Sequence, residues 1–264
     1  MARTGSGQLI ERQILTPMLG IFRFALDEGC PAFVAGQYLT LGLEVEGEIV
    51  WRPYSIASSP EQTNYVEFLV RWAVHPVEGK FTTALGRLEV GDRIRWRGPK
   101  GHFTLPDSSD GRMLLLIGAG TGVAPFVSFI RHIRESEQSR EIILLHGASY
   151  IEDLAYGELF RDMERQATLR YWPTISRPDE DHNRDWRGAT GRVESWLERP
   201  APDASCALER ALAFELNPES TFVYLCGSIG MAESVTAQLL AQGYRPKRPR
   251  DASDSYDFLV EAYG

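Results

Sequence analysis

Cysteine is scarce in this chain of 264 residues, and the three that occur lie far apart, at Cys30, Cys206 and Cys226. No two of them form a Cys-x-x-Cys pair. A structural zinc site or an iron–sulfur cluster needs several closely spaced thiolates, so neither is expected, and no other metal site is predicted. So few cysteines are typical of a reducing compartment, and the cytoplasm is the expected location.

Long uninterrupted hydrophobic runs are also missing. Residues 1–13 carry several charges and no apolar segment, so no signal peptide is expected there. Residues 113–130 are uncharged, but three glycines and Pro125 interrupt them. A strand, a glycine-rich turn and the start of a helix explain this stretch better than a membrane span, and no membrane association is predicted.

Positive charge is in deficit, because 28 lysines and arginines face 36 acidic residues, which gives a net charge of −8. This balance does not favour nucleic acid as a partner. Hydrophobic residues make up 43% of the chain and charged residues 24%. That composition is typical of a globular protein, and the length fits two domains better than one.

The first hundred residues have the pattern of an antiparallel β-barrel. Short apolar or alternating runs recur there between turn residues, and strands are predicted at 38–43, 48–51, 66–72 and 93–97. Several short strands at this spacing are typical of a barrel.

The pattern changes near residue 107, after which apolar runs alternate with helical segments. Strands are predicted at 113–117, 142–146, 169–174, 222–226 and 256–263, and helices at 123–133, 154–165, 193–197 and 231–242. Such alternation favours a parallel sheet. The predicted fold is therefore an N-terminal antiparallel β-barrel over residues 1–107, followed by a Rossmann-like α/β domain over residues 108–264.

Three segments contain residues suited to cofactor chemistry. In the segment from Gly118 to Pro125, glycines between a strand and a helix would let backbone amides approach a diphosphate, although they also suit an ordinary packed turn. The tetrapeptide Arg52-Pro53-Tyr54-Ser55 offers a guanidinium for phosphate, a flat ring and a hydroxyl, or it is a plain edge strand. Cys226 and Gly227 follow a strand, where ligands bind in α/β sheets, but a lone buried cysteine is more often structural.

Together and in this order, these segments resemble the ferredoxin–NADP reductase family, in particular its bacterial ferredoxin/flavodoxin–NADP reductases. The resemblance covers nearly the whole chain. It also includes Gly36-Gln37-Tyr38, Leu41-Gly42-Leu43, Gly79-Lys80-Phe81-Thr82, Leu145-His146-Gly147-Ala148-Ser149-Tyr150, Ser176-Arg177, Thr190-Gly191-Arg192 and Val260-Glu261-Ala262-Tyr263.

The resemblance implies that the barrel holds FAD. Arg52 would bind the FAD diphosphate, Tyr54 would lie against the flavin ring, and Ser55 would hydrogen-bond near flavin N5. The segment from Gly79 to Thr82, with Lys80 and Phe81, would cradle the diphosphate through its backbone amides.

It further implies that the α/β domain holds NADP. Gly118, Gly120, Thr121, Gly122 and Pro125 would surround its diphosphate. Arg177 and Arg192 match the family's ligands for the 2′-phosphate, unless they are solvated loop charges. Ser149 stands where close bacterial relatives have an arginine, which would weaken the preference for NADPH over NADH.

Three residues are implied at the hydride-transfer site. Cys226 would shape the nicotinamide pocket, and Glu261 would relay protons or orient Ser55, unless it is a solvated carboxylate. Tyr263 matches the aromatic residue that stacks on the flavin and must then move during turnover.

The implied activity is hydride transfer between NADPH and FAD, followed by single-electron exchange with ferredoxin or flavodoxin, and a monomer is expected. Acidic carriers could dock on either of two basic clusters, unless these only solubilise the surface. An oxygenase reductase, a flavin reductase and a non-catalytic flavin sensor remain alternatives. The clusters are Arg93, Arg95, Arg97 and Lys100, and Arg245, Lys247, Arg248 and Arg250.

Overall fold

The computed structural model describes residues 3–72, 80–106, 110–136, 140–201, 204–247 and 255–263. Its contacts divide the chain into two compact units. The first contains residues 1–106 together with 124–138, and the second contains residues 107–123 and 139–264. The segment 124–138 thus belongs to the first unit, although it follows a strand of the second.

The first unit is built on one antiparallel sheet of six strands. These are β1 (Arg3–Thr16), β2 (Leu19–Leu26), β3 (Tyr38–Val45), β4 (Glu48–Ser55), β5 (Val66–Arg71) and β6 (Arg93–Lys100). Their order across the sheet is β4-β3-β6-β1-β2-β5, so β4 and β5 are its edge strands. The predicted antiparallel barrel is confirmed by this half-barrel sheet.

Alternation of side chains explains how the sheet buries one face. In β6, Ile94 and Trp96 are buried, whereas Arg93, Arg95 and Arg97 are exposed. The apolar face adds to a core that includes Phe22, Phe24, Leu39, Leu41 and Phe68. A short helix that the sequence did not predict, α1 (Lys80–Gly86), packs Phe81 and Leu85 into the same core.

Helix α2 (Ala124–Glu135) belongs to the first unit and packs there through aromatic rings. The ring of Phe103 stacks on Phe129, with centroids 5.9 Å apart, and lies 6.0 Å from Phe126. Gly36, at φ +91°, lets the chain pass beneath this cluster, because a β-carbon there would collide with Phe103 and Phe129. The buried Ser128 hydroxyl donates to the carbonyl of Ser58 at 2.7 Å.

A buried carboxylate connects α2 to the sheet. Glu67 on β5 is fully buried and accepts hydrogen bonds from Arg23 Nε and Arg131 Nη1, each at 2.7 Å. Burial alone would raise the pKa of the Glu67 carboxyl, but the charges and hydrogen bonds of Arg131 and Arg23 outweigh burial and hold the pKa below its ordinary value. Glu67 is therefore ionised at neutral pH between two arginines.

The second unit is built on six parallel strands. These are β7 (Met113–Ala119), β8 (Ile142–Ala148), β9 (Arg170–Ile175), β10 (Ala189–Thr190), β11 (Thr221–Ser228) and β12 (Phe258–Tyr263). Their order is β10-β9-β8-β7-β11-β12, and every pair is parallel. The helices are α3 (Gly157–Arg165), α4 (Ala207–Leu212) and α5 (Ile229–Ala241). The predicted Rossmann-like sheet is confirmed.

Helix α4 and strand β10 were not predicted, and two predicted helices differ from the structure. The helix predicted from residue 154 begins at Gly157, because Tyr156 adopts a left-handed conformation, with φ +61°, which stops the helix from extending backwards. Residues 193–196 form a single 3₁₀ turn where a short helix was predicted. Among the described residues, no helix combines the length and the apolar character that crossing a membrane requires.

Candidate functional site

In the first unit, the predicted FAD ligands lie at the end of edge strand β4. The Tyr54 ring packs 6.3 Å from Phe68 and 6.1 Å from Phe81, so the core fixes its orientation. Burial raises the pKa of the Tyr54 phenol, although the charge of Arg52 lowers it, so the hydroxyl stays protonated at neutral pH.

The polar groups of this tetrapeptide have few protein partners. Arg52 donates only to the carbonyl of its neighbour Trp51, at 2.8 Å, and makes no ion pair within the described part of the chain. The hydroxyls of Tyr54 and Ser55 likewise make no hydrogen bond to a described residue. These three side chains lie at one strand end, and their polar groups bind little of the described protein. Together they fit FAD, because a guanidinium binds its diphosphate and an aromatic ring lies against its flavin.

The second predicted FAD segment opens helix α1. Lys80, Phe81 and Thr82 form its first turn, where backbone amides lack partners inside the helix and are suited to a phosphate. The Lys80 side chain itself pairs with Glu46 at 2.5 Å, and both are exposed. Gly79 lies outside the described residues.

In the second unit, the glycine-rich loop joins β7 to α2. Residues 120–123 form a 3₁₀ turn, and Gly120 has φ +57° with open space in front of it. Gly122 approaches β11 so closely that a β-carbon would collide with the carbonyl of Cys226. Pro125 occupies the first turn of α2, where its missing N–H costs no hydrogen bond. This loop fits the diphosphate of a dinucleotide, because a ligand can approach the backbone at Gly120, where no atom lies within 4 Å of the β-carbon position.

Three neighbouring strands place two of the predicted hydride-transfer residues, Cys226 and Glu261, in one row with Gly118 of the glycine-rich loop. Cys226 on β11 pairs with Gly118 on β7 and with Glu261 on β12. The Cys226 thiol is buried, and burial together with the nearby Glu261 raises its pKa well above its ordinary value. A thiol that stays protonated is a poor nucleophile, which agrees with a role in shaping a pocket.

Glu261 is the second titratable group of this row. Its Oε2 atom is buried without a hydrogen-bond partner among the described residues. Burial raises the pKa of this carboxyl from an ordinary 4.5 to about 6. A buried carboxylate oxygen without a protein donor is suited to contact a ligand or to exchange a proton.

Replacing Glu261 with glutamine is expected to stabilise the protein at high pH. Between the ordinary pKa and about 6, the folded state keeps a proton that the unfolded state loses, so stability falls as pH rises through this window. Glu261→Gln removes this loss and should be about 1 kcal/mol more stable than the wild type at pH 8, with little difference at pH 4.5. Urea unfolding at both pH values measures this.

Glu233→Gln, an exposed change on α5, is the matched control and should give the same small difference at both pH values. A stabilisation by Glu261→Gln that does not depend on pH would contradict the assigned cause.

Tyr263 is the last residue of β12, two residues beyond Glu261, and it contacts the glycine-rich loop. Its hydroxyl donates to the carbonyl of Ala119 at 2.8 Å and accepts from the Thr121 hydroxyl at 3.3 Å. Gly227 and Ser228 end the neighbouring β11, and Ser228 caps α5 by accepting from the Met231 amide. These contacts attach the last strand to the loop.

The two predicted 2′-phosphate ligands and Ser149, where an arginine is missing, follow three adjacent strands. Ser149 follows β8, Arg177 follows β9, and Arg192 follows β10. Carboxyl ends of parallel strands lie at one edge of a sheet, so these residues share that edge. Arg192 makes no side-chain hydrogen bond or ion pair with a described residue, whereas Arg177 pairs with Glu180 at 3.3 Å.

Three residues at this edge were given no role from the sequence. Tyr150 and Glu180 form a network with Arg177, and the buried Asn183 donates to the carbonyls of Ser149 and Arg177 at 2.9 and 2.7 Å. The opposite charges of Arg177 and Glu180, three residues apart, are a sequence signal of this network. Nothing in the sequence marks Asn183 as buried.

The two basic clusters predicted to dock an acidic carrier differ in how many of their charges are already paired within the protein. Arg93, Arg95 and Arg97 alternate outward along β6, with Arg93 paired to Asp27 and Arg97 stacked 3.7 Å over Trp51. Arg245 is bound at 2.9 Å by the buried Asp257. Lys247 lies over the Tyr256 ring at 4.8 Å, and Arg248 and Arg250 lie outside the described residues.

Comparison with known proteins agrees with the two-domain fold. An oxidoreductase FAD-binding domain model matches residues 6–105, and an oxidoreductase NAD-binding domain model matches residues 116–237. A ferredoxin NADP⁺ reductase structure from Neisseria gonorrhoeae, with bound FAD and NADP, has the same fold, with a TM-score of 0.81 and 24% identity over 99% of both chains.

Two curated relatives are similar in sequence. The toluate 1,2-dioxygenase electron transfer component of Pseudomonas putida is 30% identical over 81% of this chain and 56% of its own length. The flavodoxin/ferredoxin–NADP reductase of Escherichia coli K12 is 30% identical over 78% of this chain and 79% of its own length. The sequence resemblance is thereby confirmed, and the chain, with its FAD-binding and NAD-binding domains, belongs to the ferredoxin/flavodoxin–NADP reductase family.

Proposed function

We propose that this protein is a cytoplasmic reductase that oxidises NADPH through FAD and passes single electrons to ferredoxin or flavodoxin. The observation that carries this proposal is the row of Gly118, Cys226 and Glu261 beside the open glycine-rich loop. It combines a glycine-rich turn that is open at Gly120 with a neutral thiol and a carboxyl whose pKa is raised to about 6. Those are the features that a nicotinamide pocket needs.

In the first unit, FAD would supply the chemistry by accepting a hydride and releasing electrons one at a time. Arg52 and the amides that open α1 would hold its diphosphate. Tyr54 would offer its ring face, since Phe68 and Phe81 already fix the orientation of that ring. Ser55 would donate its hydroxyl, which no described residue accepts.

In the second unit, the glycine-rich loop would hold the coenzyme diphosphate, and Arg192 and Arg177 would bind the 2′-phosphate. The protonated Cys226 would position the nicotinamide without attacking it. Glu261, with a pKa of about 6, would hold or release a proton near neutral pH. The family resemblance implies that Tyr263 moves during turnover. That movement would break its hydrogen bond to the carbonyl of Ala119.

The acidic carrier would dock on the arginines of β6. Arg95 and Arg97 are exposed on one face, and the Trp51 ring beneath Arg97 holds that side chain in place. Arg245 is a weaker candidate, because Asp257 already neutralises it. Complementary charge of this kind speeds association with a negatively charged protein.

An anaerobic visible spectrum tests the proposal. The purified protein should show a flavin spectrum that bleaches on addition of NADPH, and the reduced protein should then reduce an added ferredoxin or flavodoxin. No bleaching of FAD-loaded protein by NADPH or NADH would overturn the proposal in favour of a flavin sensor.

Arg192→Gln should raise the KM for NADPH about tenfold, because it removes a charge-assisted hydrogen bond to the 2′-phosphate. The KM for NADH should be unchanged. Steady-state kinetics with both coenzymes measures this, with Arg161→Gln on α3 as the control for loss of one exposed arginine. Equal effects on the two coenzymes would contradict the assigned role.

A second candidate function is the reductase component of an oxygenase, which the similarity to the toluate dioxygenase component favours. It predicts the same bleaching but a different acceptor. Reduction of an oxygenase component, together with failure to reduce ferredoxin and flavodoxin, would select this function.

A further inference from the structure

Glu180 forms a compact network with the arginine predicted to read the 2′-phosphate. Arg177 Nη1 donates to the Tyr150 hydroxyl at 2.8 Å, and that hydroxyl donates to Glu180 Oε2 at 2.7 Å. The Glu180 Oε1 atom lies 3.3 Å from Arg177 Nη1, and the guanidinium sits 5.4 Å from the Tyr150 ring centre. The hydrogen bond from Tyr150 lowers the pKa of the Glu180 carboxyl, so it is ionised.

This network is held by the backbone around it. The Glu180 amide donates to the carbonyl of Arg177, which closes the turn between the two side chains. Asn183 is buried and donates to the carbonyls of Ser149 and Arg177, while its Oδ1 accepts from the Ile151 amide. The loops that follow β8 and β9 are therefore tied together, which fixes Glu180 beside Arg177.

The charge at this edge of the sheet opposes a phosphate. Ser149 supplies no positive charge, and Glu180 neutralises Arg177. Of the two predicted ligands, Arg192 is therefore the one that forms no ion pair with a described residue. The segment 177–185 is acidic as a whole. It contains Arg177 and Arg184 against Asp179, Glu180, Asp181 and Asp185.

Dinucleotide sites distinguish the two coenzymes through such groups. An acidic side chain accepts a hydrogen bond from the ribose 2′-hydroxyl of NADH, whereas an arginine binds the 2′-phosphate of NADPH. Here both kinds of group stand side by side and bond to each other.

We propose that Glu180 determines the coenzyme specificity of this protein. It weakens the hold of Arg177 on a 2′-phosphate and presents a carboxylate to a 2′-hydroxyl, so NADH serves as a coenzyme beside NADPH. The inference rests on the proposed function, because it concerns the coenzyme site of that reaction. Tyr150 is the positioning residue, since it bridges the carboxylate and the guanidinium.

Glu180→Gln in the FAD-containing protein tests the proposal. Removing one negative charge a few ångströms from a dianionic phosphate should tighten binding of 2′,5′-ADP about tenfold. Binding of 5′-AMP, which lacks the 2′-phosphate, should not tighten. Titration calorimetry with the two nucleotides gives this readout without any turnover, and the gain should shrink at high salt.

Coenzyme kinetics provides the second readout. The ratio of kcat/KM for NADPH to that for NADH should rise about tenfold in Glu180→Gln, through KM and not through kcat. The thermal stability should not change, because exposed ion pairs contribute little to it.

Glu141→Gln is the matched control. Glu141 forms an exposed ion pair with Arg170 at the amino ends of β8 and β9, at the opposite edge of the same sheet. Glu141→Gln removes one negative charge, as Glu180→Gln does. It should leave the affinities for 2′,5′-ADP and 5′-AMP unaltered. An affinity of Glu180→Gln for 2′,5′-ADP within twofold of the wild type would overturn the proposal, as would an equal gain in Glu141→Gln.

Failure of this inference differs from failure of the proposed function. If either coenzyme bleaches the flavin but Glu180→Gln leaves 2′,5′-ADP binding unchanged, only the role of Glu180 is wrong. If neither coenzyme bleaches the flavin, the reductase function is wrong, while tighter binding of 2′,5′-ADP by Glu180→Gln would still support Glu180 as the specificity residue.

Discussion

Gly122→Ala is expected to slow the reduction of the flavin by NADPH about a hundredfold. A β-carbon at residue 122 would collide with the carbonyl oxygen of Cys226, which is main chain and cannot rotate away. Either the glycine-rich loop or the end of β11 must then shift by about 1 Å, and displacement of this size at a reacting centre costs about two orders of magnitude in rate. Stopped-flow bleaching under anaerobic conditions measures it.

Gly230→Ala is the matched control, because a β-carbon on Gly230 meets no atom within 4 Å. It lies in the first turn of α5, close to the same strand end, and alanine there favours the helix. Its bleaching rate should equal that of the wild type. The flavin content of both variants should also be normal, since the residues proposed to hold FAD lie in the first unit. A fast rate in Gly122→Ala would show that the loop tolerates displacement and is not the coenzyme cradle.

Glu67→Gln is expected to cost about 3–5 kcal/mol of the free energy of unfolding. The carboxylate is fully buried and is shared by Arg23 and Arg131, so the substitution leaves two guanidinium groups facing a neutral amide. Breaking a buried ion pair by removing one partner is costly, and here a neutral amide replaces the buried charge that both guanidinium groups bind. Urea unfolding at pH 7 with saturating FAD, followed by flavin fluorescence and circular dichroism, measures the change.

The pH dependence of this effect has a definite sign. The folded pKa of Glu67 is below its ordinary value of 4.5, so its stabilising contribution is present above pH 4.5 and is lost as the pH falls towards the folded pKa. The difference between wild type and Glu67→Gln should therefore shrink in acid. Glu11→Gln is the control, because Glu11 binds the same Arg23 at 2.6 Å but is half exposed. It should cost less than about 1 kcal/mol. Equal costs for the two variants would contradict the buried-pair explanation.

The sequence was informative wherever one local pattern determined the structure. The uncharged run before Gly118 and the similar run before Cys226 are both buried parallel strands, because only the interior of a sheet accepts such runs. The glycines that follow them mark turns whose backbone must come close to other atoms. Residue types drew attention to the tetrapeptide from Arg52 to Ser55, but its role in holding FAD came from the family resemblance, and the structure places it at the end of an edge strand.

The rest depended on contacts that no local pattern contains. Helix α1 has seven residues, too few for a clear helical period, and it was not predicted. The charge of Arg177 could be read from the sequence, but its neutralisation by Glu180 depends on a turn and on the hydroxyl of Tyr150. Asn183 looks like a typical loop residue, and its burial beneath two loops arises only from the tertiary fold.

The first unit is discontinuous along the chain, since α2 returns to it after β7. A recombination breakpoint placed at the apparent linker near residue 107 would therefore separate Phe103 from Phe126 and Phe129 and Glu67 from Arg131. The barrel would be transferred to a hybrid protein without the helix that covers Phe103, and the buried Glu67 would keep only Arg23 of its two arginines. Exchange of modules between relatives is thus constrained to keep residues 1–106 and 124–138 from one parent.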